Sequence, residues 1–149
     1  MVHIICNMYK LRRMTKLLTY NGKLTDFYNQ GITRIYHKGI HVKNELNVPI
    51  EVSIHDATYT IESGFVWDGS SMPKGKIIQI NSPFNFLLAG LVHDYLYTKQ
   101  HETRKEADKI YRETMIYEGA SKWRAYGRYY VLRAFGWVAW NKAKKENNI

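Results

Sequence analysis

Residues 84–108 read FNFLLAGLVHDYLYTKQHETRKEAD, and this stretch decides the organisation of the chain. Its apolar residues recur at helical spacing until a short polar segment interrupts them, which predicts a helix, a turn and a second helix. His93 and Asp94 lie on the first of these helices and Asp108 on the second. Helices joined by so short a turn pack antiparallel. The sequence therefore predicts that His93 and Asp108 meet across a helical hairpin.

Local signals mark the ends of the predicted helices. Pro83 suits a first helical turn, so the first helix is predicted over about 84–99. Thr103 and Glu106 form a capping-box pattern, and Gly119 is a good C-terminal residue; together they predict a second helix over about 104–118. A third helix is predicted over about 121–145. Its core face is expected to consist of aromatic and apolar residues at helical spacing, namely Trp123, Tyr126, Tyr130, Val131, Trp137 and Val138.

Upstream of the helices the pattern is typical of strands. ITRIYHKGIHVK alternates apolar and polar residues around Lys38-Gly39, and VPIEVSI, ATYTI, GFVW and IIQI follow as short strand candidates. These segments predict a small antiparallel sheet over about 32–80, followed by three helices, and hence an α+β fold. Residues 31–149 are expected to form a single domain, and residues 1–30 an N-terminal extension that is poorly ordered.

Composition limits the classes of function. The single cysteine, Cys6, excludes an internal disulfide framework and a cysteine-rich zinc site. The sequence contains no run of 18 apolar residues, so no membrane span is predicted. The N-terminus does not resemble a signal peptide. The formal charge of +9 favours encounters with nucleic acid or an anionic membrane. The basic residues are scattered, so a general solubility charge is preferred over a dedicated nucleic-acid surface.

The hairpin offers a specific chemistry. A carboxylate bonded to one imidazole nitrogen leaves the other nitrogen to act as a base, which gives His93 the role of base and Asp108 that of its orienting group. Asp94 can offer oxygen to a hard cation, calcium above all, with Asp68 or loop carbonyls as further ligands. The bland interpretation is equally open: a buried histidine held by Asp108 for packing, beside a helix salt bridge from Arg104. Three histidines on the predicted strands are interpreted as solvent-facing rather than metal-binding, namely His37, His41 and His55.

Several separated motifs resemble a family found in phages and prophages, the domain of unknown function 1353. The resemblance covers roughly residues 30–140 and rests on four segments: GFVWDGSSMP, LAGLVHDYLY, TRKEADKIYRETM and WRAYGRYYVLRAFGW. It implies a phage origin more strongly than a mechanism. The resemblance also adds residues to the candidate site of His93, Asp94 and Asp108. These are the loop residues Asp68 and Ser71 and the supporting residues Tyr97 and Arg104.

A second resemblance concerns the hairpin alone. H-D-x-x-Y followed by A-D on the next helix is similar to the catalytic helices of secreted and parvoviral phospholipases. In those enzymes the histidine activates water, the adjacent aspartate holds calcium and the later aspartate orients the histidine. By position these would be His93, Asp94 and Asp108. The chain departs from them in lacking their glycine-rich calcium loop and the disulfides of the secreted enzymes.

Two hypotheses from different classes follow. The first is a phage-encoded, metal-assisted hydrolase acting on an ester or amide, with a lipid or cell-envelope substrate as one option. The second is a non-enzymatic virion or host-factor-binding protein in which the polar cluster locks the helices together. Expected partners are a substrate or a host or phage protein, with a membrane surface as a further option and nucleic acid ranked below these. The expected location is the host cytoplasm or the virion.

Overall fold

The chain divides into two compact units, residues 1–66 and residues 67–149. A computed structural model describes residues 19–20, 32–37, 41–54, 57–67 and 86–147. Strands precede helices along the chain, which confirms the predicted α+β class. The extension predicted at residues 1–30 and the single domain predicted at residues 31–149 stay predictions.

The strands form two three-stranded sheets, ordered β1-β4-β5 and β2-β3-β6. Their pairs β1–β4, β2–β3 and β4–β5 are antiparallel. The prediction of one sheet was wrong on this point, because local alternation identifies strands and hairpins but not the pairing of distant strands. The strand predicted at residues 77–80 lies outside the described residues. The bounds are β1 Thr19–Tyr20, β2 Ile32–His37, β3 His41–Leu46, β4 Ile50–Ile54, β5 Ala57–Ile61 and β6 Val66–Trp67.

Alternation along β4 sets the face that this strand buries. Ile50 and Val52 are buried while Glu51 between them is exposed, as the period of two requires. Ile61 lies opposite Ile50 in the register and is fully buried as well. Among the side chains that the structure describes in the first unit, these three and Leu46 of β3 are the buried apolar ones.

In the second unit, residues 86–147 form four helices. The helix α1 packs against α2 and α4, and α3 packs against α2 and α4. The first helix begins three residues later than predicted, at Leu87. The predicted third helix is divided in two at Gly136, whose ψ of −17° departs from the helical value. The bounds are α1 Leu87–Lys99, α2 Arg104–Tyr117, α3 Lys122–Phe135 and α4 Trp137–Glu146. No helix of the described ranges is long and apolar enough to cross a membrane.

The second helix carries its own end signals. Thr103 accepts a hydrogen bond from the backbone N–H of Glu106 at 3.2 Å, which confirms the predicted N-cap. At the other end Gly119 adopts a φ of 97°, which glycine tolerates without strain. Its N–H bonds to the carbonyl of Ile116, and that of Ala120 to the carbonyl of Met115. This pair of bonds is the Schellman motif, so the helix ends where the sequence predicts.

The first helix lacks such a signal and takes its cap from α2. Phe86, its N-cap residue, has a φ of 62° and no side-chain cap bond. Glu118 supplies the missing acceptors: its two carboxylate oxygens accept from the N–H groups of Leu88 and Ala89, at 3.1 and 2.7 Å. A carboxylate is favourable at this positive end of the helix dipole. The start of α1 is therefore fixed by a residue thirty positions away.

The prediction for the inner face of the third helix was wrong. The buried residues of α3 are Ala125, Arg128 and Leu132, whereas Trp123 is 89% exposed and Tyr130 64% exposed. Small and basic residues face inward because the neighbouring helices present aromatic and acidic groups to them. Spacing placed the aromatic residues on one face, but spacing alone does not say which face packs.

Candidate functional site

Asp108 is the centre of the polar cluster and is completely buried. Its Oδ1 atom accepts from His93 Nε2 at 3.1 Å and from the Tyr97 hydroxyl at 2.5 Å, both on α1. Its Oδ2 atom accepts from Arg133 of α3 at 2.7 Å and from Arg104 of its own helix at 3.5 Å. Both oxygens are thus satisfied by donors, as a buried carboxylate requires. One carboxylate therefore joins three helices.

His93 lies between two tyrosine rings and is only 7% exposed. The ring centroids of Tyr97 and Tyr111 are 4.1 and 5.0 Å from that of the imidazole. An ionised carboxylate only accepts, so Nε2 carries the hydrogen of the bond to Asp108. The other nitrogen, Nδ1, lies 3.8 Å from Oδ1 of Asp94, whose side chain is 37% exposed. The geometry fixes the tautomer at one nitrogen and directs the other toward the accessible side of α1.

The charges of the cluster stabilise one another. Burial alone lowers the pKa of His93, but hydrogen bonds to Asp108 and Asp94 and their negative charges outweigh it, and the pKa is raised above 6.5. Burial alone raises the pKa of Asp108, yet the donors His93, Tyr97 and Arg133 hold it below 3.8. The buried hydroxyl of Tyr97, beside a carboxylate, has its pKa raised far above 10. Tyr97 is therefore a hydrogen-bond donor at any physiological pH.

Arg104 ties the cluster to the end of α3. Besides Asp108, its NH1 group donates to the carbonyl oxygens of Leu132 and Arg133, at 3.1 and 3.3 Å. These carbonyls belong to the last turn of α3, where a cation is favourable, and that of Leu132 also accepts from the N–H of Gly136 at 2.7 Å. The prediction of a simple helix salt bridge for Arg104 and Asp108 was incomplete, because the same guanidinium also caps another helix.

The structure brings together four of the residues singled out by sequence with His93: Asp94, Tyr97, Arg104 and Asp108. Asp68 and Ser71, which were expected to contribute from a loop, lie outside the described residues. Across the described part of the chain, no group of three or more His, Cys, Asp or Glu side chains could hold a metal ion. Of the two predicted cation ligands, Asp94 alone lies in the described part of the chain, and a metal site there would need further oxygen ligands.

Two members of the cluster were missed by sequence reasoning. Arg133 of α3 was not among the candidate residues, but it bonds to Asp108. Tyr111 of α2 was not among them either; its ring lies beside the imidazole of His93, and its hydroxyl accepts from Arg128 at 3.0 Å. A usable signal was the pair of arginines among the apolar residues of α3, since arginines facing a buried interior require an acceptor.

Comparison with known proteins identifies a family and no relative of established activity. The family model described as "Protein of unknown function (DUF1353)" matches residues 42–132, which is more than half of the chain. The matched range includes β3 to β6, both helices of the hairpin and most of α3. No curated protein and no solved structure matches the chain. The match includes the residues of the polar cluster except Arg133, which lies one position beyond it, and the chain belongs to the DUF1353 family of proteins of unknown function.

Proposed function

We propose that His93 and Asp108 activate water for the hydrolysis of an ester or amide bond. The observation that carries the proposal is the division of labour between the imidazole nitrogens. Nε2 is held by a buried carboxylate, while Nδ1 faces the partly exposed side chain of Asp94. A histidine oriented in this way is a typical general base. The resemblance of the hairpin to phospholipase helices points to the same three positions.

The proposed reaction needs the neutral imidazole. Nδ1 of His93 takes a proton from water as the hydroxyl oxygen bonds to the carbonyl carbon of the substrate. Collapse of the tetrahedral intermediate breaks the ester or amide bond, and the proton passes from Nδ1 to the departing alcohol or amine. Asp108 stabilises the imidazolium that forms in between, and Tyr97 and Arg133 keep Asp108 ionised.

The proposal includes a divalent cation, calcium by preference, with the carboxylate of Asp94 as one of its ligands. Such an ion would polarise the carbonyl oxygen of the substrate. The described residues contribute only this one carboxylate, and the second predicted ligand, Asp68, lies in the loop outside them. The steps above therefore use only the protein's own side chains.

A second candidate function is non-enzymatic, and one observation favours it. His93 is buried, and Asp108 accepts from four donors on three helices. A saturated network of this kind specifies one packing arrangement without chemistry. Under this alternative the protein is a virion component or binds a host factor. In both versions a phage origin, and a location in the host cytoplasm or the virion, rest on the family resemblance.

The test pairs activity with cation binding. Purified protein is titrated with calcium, magnesium and zinc by calorimetry and assayed on ester, phospholipid and peptidoglycan substrates. His93→Asn should lower hydrolysis by about 10²–10⁴-fold if the imidazole is the base. Asp94→Asn should abolish cation binding while leaving the bonds to Asp108 in place.

Lys105→Gln, an exposed position on α2, is the control and should change neither readout. Hydrolysis that survives in the folded His93→Asn protein would overturn the catalytic role. Absence of both hydrolysis and cation binding in the wild type would favour the non-enzymatic alternative.

A further inference from the structure

The outward face of α3 carries an aromatic and uncharged stripe. Trp123, Gly127, Tyr130 and Ala134 follow one another at helical spacing and are all exposed, and Trp137 and Val138 continue the series at the start of α4. These six residues are called the outer stripe. Its members Trp137 and Val138 are 54% and 57% exposed. Contiguous exposed apolar surface of this kind marks an interaction site rather than a random scatter of side chains.

The outer stripe is not the face through which α3 packs on the neighbouring helices, because the opposite face of α3 does so. Ala125 and Leu132 are buried in the apolar cluster with Tyr111 and Met115. Arg128 bonds to Tyr111 on that same side, and Gly136 lies against Tyr97. Since the described helices pack on the inner face of α3, the outer stripe is left to another binding partner.

Cationic side chains predominate in the segment that carries the outer stripe, although Lys142 pairs with Glu146 just beyond it. No Asp or Glu occurs from Gly119 to Lys145, a segment that holds seven Lys and Arg residues. Arg128 is buried and Arg133 bonds to Asp108, but the other five are exposed. Of those five, Lys122 and Arg124 flank the first stripe residue, Trp123, whereas Lys142, Lys144 and Lys145 follow the stripe on α4.

Two surface cavities combine these apolar and cationic groups. One, of about 570 Å³, is lined by Trp137 and Val138 together with lysines of α4. The other, of about 310 Å³, is lined by Lys122, Trp123 and two tyrosines of α3. Tryptophan and tyrosine favour the boundary between lipid headgroups and acyl chains, where lysines reach the phosphates.

We propose that the outer stripe docks the protein onto an anionic membrane surface, with α3 lying in the plane of the headgroups. The part of the stripe on α3, from Trp123 to Ala134, extends about 16 Å along the helix, which suits an interfacial rather than a spanning segment. A second copy of the chain would bring a predominantly cationic segment against its own copy, which opposes association. Nucleic acid would need cations within the stripe, and its members carry none. The proposal does not depend on the chemistry of His93.

Flotation with phosphatidylcholine vesicles, with and without phosphatidylglycerol, tests the proposal. The full-length protein should bind only the vesicles that contain phosphatidylglycerol, and its tryptophan emission should shift to shorter wavelength. The double substitution Trp123→Ala and Tyr130→Ala should reduce binding more than tenfold without loss of helicity, because both side chains are exposed. Replacing Lys144 and Lys145 with Gln should weaken binding about fivefold for each lysine.

The matched controls are Tyr117→Ala, an exposed aromatic residue of α2, and Lys105→Gln, an exposed lysine of the same helix. Both should bind vesicles as the wild type does. Four results would overturn the proposal. These are absence of vesicle binding, binding that survives the double substitution, a dimer that the double substitution dissociates, and tryptophans that iodide cannot quench because the chain itself covers the stripe. Stripe-dependent binding of single-stranded DNA without vesicle binding would assign the face to nucleic acid instead.

Discussion

Gly136 lies against the hydroxyl of Tyr97 so closely that a Cβ atom at this position would stand 2.6 Å from the hydroxyl oxygen. The same Cβ would stand 2.6 Å from the carbonyl oxygen of Leu132. The hydroxyl is itself fixed by its bond to Asp108. The junction of α3 and α4 therefore requires glycine for reasons of space.

Gly136→Ala should destabilise the protein by about 1–3 kcal/mol, because overpacking must displace Tyr97 or the backbone. Gly127→Ala is the control: it lies within α3 with nothing inside 4 Å of a Cβ, and should stabilise by about 0.5–1 kcal/mol. Urea unfolding of both proteins measures the difference. Equal effects of the two substitutions would contradict the close approach.

Asp108→Asn should be among the most damaging single changes in the helical unit. The amide cannot neutralise Arg133 and Arg104, and removing one partner of a buried ion pair costs about 3–5 kcal/mol. Asp94→Asn, on the other side of His93 and partly exposed, should cost less than about 1 kcal/mol. Chemical denaturation compares them, and a small effect at Asp108 would show that the cluster contributes little to stability.

The raised pKa of His93 makes stability depend on pH in a defined direction. Folding favours the protonated imidazole, so its contribution is complete below pH 6.5 and is lost as pH rises through the raised pKa of the folded protein. Asp94 and Asp108 favour that charge, whereas Arg104 and Arg133 beyond Asp108 oppose it.

His93→Gln should remove this part of the pH dependence in thermal unfolding measured at a series of pH values. His101→Gln, at an exposed histidine between α1 and α2, should leave it in place. If hydrolysis is found, its rate should rise over the same interval, because the base must be neutral. A fall in stability with decreasing pH between 8 and 6 that disappears in His93→Gln would reverse the assigned sign.

Glu118→Ala should destabilise the hairpin by about 0.5–2 kcal/mol, since the N–H groups of Leu88 and Ala89 lose their acceptor. Glu146→Ala removes a carboxylate from an exposed pair with Lys142 on α4 and should cost no more than about 0.5 kcal/mol. Hydrogen exchange at the first turn of α1 should accelerate in the Glu118 variant only. Unchanged exchange there would exclude the cap.

Sequence predicted those features that depend on neighbours along the chain. The alternation around residues 38–39 identified the β2–β3 hairpin, and Thr103 and Gly119 marked both ends of α2. The meeting of His93 with Asp108 followed from two helices and a short turn, because only one packing direction is available to them.

Features that depend on distant partners could not be predicted in the same way. Arg133 reaches Asp108 from 25 positions along the chain, and Glu118 reaches α1 from thirty. The face of α3 was assigned by the hydrophobicity of Trp123 and Tyr130, whereas the structure buries the side with Ala125. Close approach of helices selects small residues, and hydropathy does not record that preference.

The hydrogen bonds that Asp108 and Glu118 accept from α1 lie at two separate places, and this has a geometric consequence. His93 meets Asp108 midway along the hairpin, and Glu118 holds the first turn of α1 at its open end. Two antiparallel helices that are bonded at two separate places cannot slide along each other. An inserted or deleted residue between His93 and Asp108 would have to shift one helix by about 1.5 Å along the other, against the bonds of both Asp108 and Glu118. The turn that joins them can therefore change its composition more readily than its length.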